Sequence, residues 1–264
     1  MKMINRLPGM ARRPIRKMWY EYLSQMDKEA NMLFMNYGWA NLDHEKMLSL
    51  HKHDEPHRYC IQLYHHVVSG IDLNDQDVME VGCGRGGGAS YIMRYLKPRS
   101  LTGVDITSNA IRFCDQYYSH TGLSFLRGKA EALHFDDNAF DVIINIESSH
   151  VYASMEQFLQ GVHRVLKPDG HFLFADFRLE EEMPTLKKQL SNSGLTLIKE
   201  EIITPYIVRA LELDDERKKQ LIKQHVPKIL RRFFNEFAGM KGTHSTYHRF
   251  KNGDMVYFNY AFRK

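Results

Sequence analysis

The stretch that decides the fold is Asp77-Val-Met-Glu-Val-Gly-Cys-Gly-Arg-Gly-Gly-Gly88. Its first five residues predict a short strand, and residues 89–96 predict a helix because their apolar positions follow a helical spacing. The glycines between them allow a tight turn with positive φ and let a ligand approach the backbone closely. The first N–H groups of the helix then face that ligand. The stretch therefore predicts a strand, a ligand-binding turn and a helix.

The spacing of these glycines fits two kinds of nucleotide cofactor. Gly82, Gly84 and Gly87 match the dinucleotide-binding pattern G-x-G-x-x-G. Glu80 argues against a dinucleotide, because a carboxylate at the end of the strand would repel a pyrophosphate. S-adenosylmethionine (SAM) has no phosphate and carries a cationic ammonium and sulfonium, so an acid at this place favours it. An NAD(P) oxidoreductase remains as the less favoured alternative.

The segment Glu80-Val-Gly-Cys-Gly-Arg-Gly86 resembles motif I, E/D-x-G-x-G-x-G, of the class I SAM-dependent methyltransferases. Residues 128–141 are similar to the methyltransferase segment G-D-A-E-x-L-P-F-x-D-x-x-F-D, and residues 164–170 match a turn of the same class. The resemblance implies an α/β fold with a doubly wound, seven-stranded, mostly parallel sheet. It also implies an antiparallel last strand and a helical N-terminal cap.

The order of the predicted elements supports a parallel sheet. Short apolar runs alternate with helical patterns, as in βαβ units, and the predicted strands are 101–105, 123–128, 140–146, 171–178 and 195–203. Near the end of the chain, Asn252-Gly253 lies between two aromatic runs within 247–262 and predicts a hairpin. The predicted organisation is a basic flexible leader at 1–20, a helical cap or lid at 21–70 and a SAM-binding core at 71–264. A helical insert of mixed charge, predicted to present a solvated face, occupies about 205–240 of that core.

Several residues are predicted to hold the cofactor. Asp105 ends the second strand, where a carboxylate can accept both hydroxyls of an adenosine ribose, and Ile106 is placed to pack on the adenine. From the resemblance, adenine contacts are expected at Ala130 and Glu131, although Lys129 replaces the acid that usually accepts from the adenine amino group. The predicted cofactor-binding set is Glu80, Gly82, Gly84, Gly86, Asp105, Ile106, Ala130, Glu131, Glu147 and Tyr37.

Polar residues follow two neighbouring strands at the edge of the sheet where ligands bind. The apolar strand 140–146 leads into Glu147-Ser-Ser-His150, and the next strand carries Asp176. A histidine that donates one ring N–H to a carboxylate keeps the other nitrogen as a base, which suits the removal of a proton from an attacking hydroxyl. The catalytic residues are therefore predicted to be His150, as the base, and Asp176, which orients it.

Three segments resemble one subgroup of these methyltransferases in particular. Asn36-Tyr-Gly-Trp39, Glu147-Ser-Ser-His150 and residues 242–264 resemble the phthiotriol/phenolphthiotriol dimycocerosate methyltransferases and related polyketide, fatty-acid and natural-product O-methyltransferases. This resemblance implies methyl transfer from SAM to a hydroxyl of a lipophilic small molecule. The aromatic block 32–39 is predicted either to form a helix packed on the edge of the core or to form a lid with Tyr37 or Trp39 facing inward. The alternatives are a C-methyltransferase of sterol-like substrates and a SAM-binding protein without methyl transfer.

Composition and charge limit the partners. The chain has 264 residues with ordinary hydrophobic (43%) and charged (26%) fractions, which indicates a globular protein. Its net charge is +4, but residues 1–20 contain six basic residues and no acid, so the remaining chain is slightly acidic and no nucleic-acid partner is expected. The leader is predicted to be solvated, with weak contact to an anionic membrane surface as the alternative. The sequence does not indicate an oligomeric state.

The positions of the cysteines and histidines bear on the cellular compartment of the protein and on whether it binds a metal ion. Three cysteines without a C-x-x-C pair predict reduced thiols and a cytoplasmic protein, and no apolar run is long enough to span a membrane. The cluster of His51, His53, Asp54 and His57 does not fall on one helical face and is interrupted by Pro56. It is predicted to be a solvated polar loop, and no metal site is expected.

Overall fold

The computed structural model of the chain describes residues 32–42, 48–241 and 246–264. The predicted leader at 1–20 lies outside these residues, as do 21–31 of the predicted cap. Within the described residues, no helix is long and apolar enough to cross a membrane.

A seven-stranded sheet forms the centre of the molecule, with the strand order β3-β2-β1-β4-β5-β7-β6. Its strands are β1 (Asp77–Val81), β2 (Ser100–Asp105), β3 (Leu123–Arg127), β4 (Phe140–Ile146), β5 (Leu166–Leu179), β6 (Thr196–Ile202) and β7 (Met255–Arg263). The pairs from β3 across to β5 are parallel, whereas β7 is antiparallel to both of its neighbours, β5 and β6. The predicted mostly parallel sheet with an antiparallel last strand is confirmed.

The described helices cover the two faces of this sheet. They are α1 (Arg58–Val68), α2 (Gly87–Leu96), α3 (Ser108–Tyr117), α4 (Met155–Val165), α5 (Met183–Ser191), α6 (Thr204–Leu213), α7 (Asp215–His225), α8 (Lys228–Phe237) and α9 (Thr246–Asn252). Three short 3₁₀ turns at Glu55–His57, Ser149–Val151 and Glu180–Glu182 complete the described elements. Three consecutive helices, α6 to α8, thus occupy the segment predicted as an insert.

Alternate residues of the central strands fill two separate cores. On β4, Val142 and Ile144 belong to the core beneath α1 and α2, whereas Ile143 belongs to the core beneath α4 and α5. β5 divides in the same way, with Leu173 on the first face and Phe172 on the second. Full burial of an aliphatic or aromatic side chain contributes roughly 1.5–3 kcal/mol to the free energy of unfolding. Because the central strands bury side chains on both faces, the sheet is held rigidly. This rigidity fixes the strand ends that form the site.

β5 begins earlier than predicted. Phe140 on β4 pairs with Leu166, and Val142 pairs with His171, so residues 167–170 protrude between the two pairs. Asp169 has a φ of +62° within this excursion, which preserves the predicted turn inside a longer strand.

The predicted hairpin at 247–262 is wrong. Residues 246–252 form helix α9, in which Tyr247 and Phe250 are buried, and only the second aromatic run becomes a strand. That strand pairs with β5 and β6 instead of with the run before it. The apolar residues of the first run lie three apart, a spacing that suits one face of a helix.

The predicted cap at 21–70 contains helix α1 at Arg58–Val68, whereas residues 32–42 carry no helix. One prediction within this segment is wrong. Asp54 is not part of a solvated loop, because it is only 5% exposed and its carboxylate binds Arg94 Nη1 and Nη2 at 2.7 and 2.8 Å. Burial alone would raise the pKa of Asp54, but Arg94 and the Tyr95 hydroxyl lower it below its usual value.

Candidate active site

A cavity of about 400 Å³ lies where the glycine turn meets the ends of β1, β2 and β4. This volume is within the range of small-molecule sites, and the position is the ligand crevice of doubly wound sheets. Leu33, Phe34, Met35 and Asn36 form one wall of the cavity. The segment 32–42 therefore covers the site, as a lid would.

Neither side chain that was predicted to face inward from this segment lines the cavity in the described residues. Trp39 is stacked between His66 and Tyr206, with ring centroids 4.7 and 5.2 Å apart. Tyr37 contacts Phe177 and Phe250 instead. The inward orientation of Trp39 is therefore wrong, since its ring anchors the segment to α1 and α6.

Gly82 forms the closest approach of the turn to the neighbouring loop. Its φ is +81°, and its N–H donates to Val104 O at 2.7 Å. A Cβ at this position would lie 1.9 Å from Ser148 Oγ, so no other residue fits without displacing the loop after β4. Gly86, with a φ of +73°, precedes the first turn of α2 and does not reach the cavity wall.

Asp105 links the glycine turn to the end of β2. Its Oδ2 accepts from the Gly84 N–H at 3.0 Å, and its Oδ1 accepts from the Thr107 N–H at 2.8 Å. Burial raises the pKa of this carboxyl. Gly84, Asp105 and the neighbouring Ile106, which is 40% exposed, all line the cavity. A fixed carboxylate beside an open apolar side chain suits a ribose attached to a flat base.

The loop after β3 forms the opposite wall, where Lys129, Ala130 and Glu131 all line the cavity. The Glu131 carboxylate accepts a hydrogen bond from the Ala153 N–H, which ties this loop to the start of α4. Both residues that were predicted to contact adenine are thus at the wall, together with the unexpected lysine.

Glu80 lies behind the wall and not on it. The side chain is fully buried, and its Oε1 accepts from the Tyr64 hydroxyl at 2.6 Å, while Oε2 has no hydrogen-bond partner of normal geometry among the residues that the structure describes. Burial raises the pKa of Glu80 to about 7. Tyr64, from α1, is the residue of this pair that lines the cavity. The sequence offered no signal for Tyr64 beyond its place on an apolar helix face.

Glu147 joins three distant parts of the chain. Its Oε1 accepts from the Tyr37 N–H at 2.8 Å and from the Tyr257 hydroxyl at 3.0 Å. The residue lines the cavity with a φ of +47°, an uncommon conformation for a non-glycine residue. Burial raises the pKa of this carboxyl to about 8, and the nearby charge of Asp176 adds to the shift.

The structure brings the two predicted catalytic residues into direct contact. His150 Nδ1 lies 2.8 Å from Asp176 Oδ1, and the His150 N–H donates to Asp176 Oδ2 at 3.0 Å. The Asp176 side chain is fully buried, whereas that of His150 is 12% exposed. Burial alone would raise the pKa of Asp176, but His150 and Arg178 hold it well below its usual value. An ionised Asp176 makes Nδ1 the proton-bearing nitrogen and leaves Nε2 as a base.

Ser149 and Arg178, which sequence reasoning missed, complete the binding of Asp176. Ser149 Oγ donates to Asp176 Oδ2 at 2.6 Å, and Arg178 Nη1 lies 3.2 Å from the same oxygen. Arg178 Nη2 also donates to Ser149 Oγ at 2.7 Å. Arg178 is close to Asp176 in sequence, and Ser149 follows the end of the neighbouring strand β4. These positions were the only sequence signals for the two residues.

An aromatic enclosure adjoins this pair. The His150 ring lies 4.4 Å from the Phe177 ring, and Phe177 in turn contacts Tyr37, Phe250 and Tyr257. The histidine therefore lies beside apolar surface, where water competes weakly for its free nitrogen.

The cavity fits SAM better than a dinucleotide. Carboxyl groups of Asp105, Glu131 and Glu147 line it, and the unpaired Oε2 of Glu80 lies buried just behind it. Asp105 and Glu131, together with the ionised fraction of Glu80 and Glu147, would repel a pyrophosphate but stabilise a cationic ammonium or sulfonium. Among the described residues, no cluster of three His, Cys, Asp or Glu is placed to hold a metal ion.

Comparison with known proteins identifies the family of the chain. A family profile described as "Methyltransferase domain" matches residues 79–174. The chain is 36% identical over 246 residues to a phthiotriol/phenolphthiotriol dimycocerosates methyltransferase of Mycobacterium tuberculosis, covering 93% of this chain and 90% of that protein. It is 34% identical to a fatty-acid O-methyltransferase of Mycolicibacterium smegmatis, covering 94% of this chain and 89% of that protein.

Solved structures show the same fold at lower identity. The cyclopropane synthase MmaA2 of Mycobacterium tuberculosis has a TM-score of 0.70 at 15% identity, covering 92% of this chain and 97% of that one. A geranyl diphosphate methyltransferase in complex with geranyl diphosphate and sinefungin has a TM-score of 0.66 at 12% identity, covering 95% and 99%. With the site and the relatives together, the chain belongs to the class I SAM-dependent methyltransferases, in the group that contains the phthiotriol/phenolphthiotriol dimycocerosates methyltransferases, and its cofactor is SAM.

Proposed function

We propose that this methyltransferase transfers a methyl group to a hydroxyl oxygen of a lipophilic small molecule, with His150 as the general base. The observation that carries the proposal is the hydrogen bond between His150 Nδ1 and the buried, ionised Asp176. A carboxylate oxygen needs no such base, and an alkene needs one only after methyl transfer, to take a proton from the resulting carbocation. A histidine fixed in this tautomer beside apolar surface suits a hydroxyl acceptor.

The residues proposed to hold SAM are those of the cavity wall and its support: Gly82, Gly84, Gly86, Asp105, Ile106, Ala130, Glu131, Glu147, Glu80 and Tyr37. Of these, Gly86, Glu80 and Tyr37 lie behind the wall. Gly86 acts through the turn, Glu80 through Tyr64, and Tyr37 through Glu147. Bound SAM supplies an electrophilic methyl group. The wall positions it, and positioning of two reactants accounts for a large part of the rate in such transfers.

His150 then removes the proton from the acceptor hydroxyl at Nε2. This nitrogen forms no hydrogen bond within the described part of the chain, and Asp176 stabilises the imidazolium that results. Phe177 and its aromatic neighbours exclude water from the proton transfer and provide apolar surface for the acceptor. The relatives are named for phthiotriol-type lipids and fatty acids, which supports a lipophilic acceptor.

A second candidate function is methylation of a fatty-acid carboxyl, favoured by the identity to a fatty-acid O-methyltransferase. A carboxylate is already ionised at neutral pH, so it offers no proton for His150 to remove. The two candidates therefore differ in their dependence on His150.

The test uses the purified full chain with SAM and two acceptors of equal length, a long-chain secondary alcohol and a long-chain fatty acid, with products measured by mass spectrometry. We expect methylation of the alcohol, reduced about 100-fold or more in His150→Ala. Binding of S-adenosylhomocysteine by the variant should be unchanged in isothermal titration. His134→Ala, an exposed histidine distant from the pair, is the matched control.

Undiminished transfer to the alcohol in His150→Ala would refute the proposed base. Methylation of the fatty acid alone, independent of His150, would replace the hydroxyl by a carboxyl acceptor. Transfer to the carbon of an alkene such as a sterol side chain would establish the C-methyltransferase alternative, and cofactor binding without turnover on any acceptor would indicate a binding role.

A cytoplasmic location also remains a proposal, supported by three buried free thiols at Cys60, Cys83 and Cys114.

A further inference from the structure

The turn between α7 and α8 carries an isolated apolar side chain in full contact with solvent. Ile229, the second residue of α8, is 89% exposed. Single exposed apolar residues are common on protein surfaces, so exposure alone carries no conclusion. The surroundings of Ile229 are what distinguish it.

The charge around Ile229 has one sign. The segment 222–235 contains Lys223, Lys228, Arg231 and Arg232 and no acidic residue. Of these four, Lys223, Lys228 and Arg232 are exposed. The acids at the start of α7 are already engaged, since Lys219 lies 2.6 Å from Asp215 and 2.7 Å from Glu216. Among the described residues, Lys223, Lys228 and Arg232 form no ion pair with an acid, so the turn presents positive charge around one apolar side chain.

The turn is held in place from below. Arg231 donates to Val226 O at 2.9 Å and to Lys223 O at 2.7 Å, which closes the C-terminal end of α7 against α8. A separate small core beneath the turn is already filled by the buried residues Ile222, Val226, Phe234 and Met240. Ile229 has no place in this core and projects from a fixed base.

The same small core reaches the lid of the cavity. Met32 packs against it, and the next four residues, 33–36, line the cofactor cavity. A partner that binds the turn would therefore lie close to the segment that covers the site.

We propose that the turn between α7 and α8 is a docking surface for an anionic membrane. Ile229 inserts at the boundary between headgroups and acyl chains, and Lys223, Lys228 and Arg232 bind the anionic headgroups. Positive charge matched to negative lipid, together with one inserted apolar side chain, is the two-part pattern of reversible interfacial binding. The surface is distinct from the basic leader, and binding to it requires no methyl transfer.

The test is cosedimentation of the full chain with vesicles of phosphatidylcholine alone and of phosphatidylcholine with 30% phosphatidylglycerol, without SAM or acceptor. We expect binding to the anionic vesicles only, weakened as salt is raised. Ile229→Asp should reduce the partition coefficient at least about tenfold, because an inserted side chain is lost. Lys228→Gln with Arg232→Gln should reduce it about 25-fold, at about fivefold for each charge removed.

Two controls locate the surface. Ile198→Asp changes an isoleucine that is 50% exposed on β6 and should leave vesicle binding unchanged. A variant with Arg12, Arg13, Arg16 and Lys17 changed to Gln removes most of the leader's charge, and it should retain most of the binding. Binding that survives both substitutions at the turn but is lost with the leader variant would overturn the proposal, and so would equal binding to neutral vesicles. Methylation of an acceptor dispersed in detergent, measured on the same variants, tests the proposed function separately.

Discussion

The backbone N–H of Tyr37 donates a hydrogen bond of 2.8 Å to Glu147 Oε1, across 110 residues of sequence. The bond fastens the segment that covers the cavity to the loop after β4. The Tyr257 hydroxyl donates to the same oxygen, so the segment, the loop and β7 meet at one buried carboxyl. The protonation state of Glu147 therefore affects both the lid and the site.

Glu147→Gln is expected to change how stability depends on pH. The folded-state pKa of about 8 lies above the usual glutamate pKa of 4.5, so the folded chain binds this proton more tightly than the unfolded chain does. The contribution of this proton to the free energy of unfolding is complete below about pH 4.5 and is lost as pH rises through about 8. Gln keeps the acceptor oxygen and cannot ionise. Between pH 6 and pH 9, wild type should lose up to about 3 kcal/mol more stability than the variant.

Denaturant unfolding across this pH range measures that difference. Glu181→Gln, at an exposed glutamate, is the matched control and should follow wild type. Parallel pH curves for wild type and Glu147→Gln would contradict the raised pKa.

Glu80 is expected to make cofactor affinity depend on pH. Its pKa of about 7 means that the carboxyl is mostly neutral at pH 6, yet its ionised form is the one that favours a cationic ligand. Affinity for S-adenosylhomocysteine should therefore rise roughly eightfold between pH 6 and pH 7.5, with a proton released on binding. Glu80→Gln should bind about tenfold more weakly and without this pH dependence.

Isothermal titration in two buffers of different ionisation enthalpy counts the released protons. A flat affinity in wild type over this range would show that Glu80 does not ionise when the ligand binds.

Gly82→Ala is expected to weaken cofactor binding strongly. The new Cβ would lie 1.9 Å from Ser148 Oγ, and the residue would have to keep a φ of +81°. The backbone strain costs on the order of 1 kcal/mol, and displacement of the loop after β4 adds to it. Gly70→Ala is the control, since a Cβ there meets nothing within 4 Å. Titration with S-adenosylhomocysteine should show a loss of more than about tenfold for Gly82→Ala only, and a normal affinity would mean that the loop adjusts freely.

Asp176→Asn is expected to slow methyl transfer without weakening cofactor binding. The substitution removes the charge that fixes the tautomer of His150 and leaves Arg178 without its buried carboxylate. The rate constant kcat should fall at least about tenfold with little change in KM, and the free energy of unfolding should drop by about 3 kcal/mol. Kinetics with the alcohol acceptor and denaturant unfolding measure the two effects. A variant with unchanged kcat but reduced stability would assign Asp176 a purely structural role.

The sequence predicted those parts of the site that depend on local pattern. The glycine turn and Asp105 follow directly from strand ends, and His150 and Asp176 follow from neighbouring parallel strands. The contacts it missed join segments that no local pattern relates. One such contact is the hydrogen bond from Tyr64 on α1 to Glu80. The hairpin prediction at 247–262 was wrong because β7 pairs with β5 and β6, and this pairing overrode the local turn signal.

The place of β7 between β5 and β6 has a consequence for synthesis on the ribosome. In the described part of the chain, β6 pairs with no strand other than β7, so it emerges about fifty residues before it can pair. Until then, the edge of β5, with Phe172 and Phe174, is open to pairing with other chains. The nascent chain thus passes through a stage that depends on protection from aggregation. The hydrogen bond from the Tyr257 hydroxyl to Glu147, at the cavity wall, therefore forms only after β7 has paired with β5 and β6.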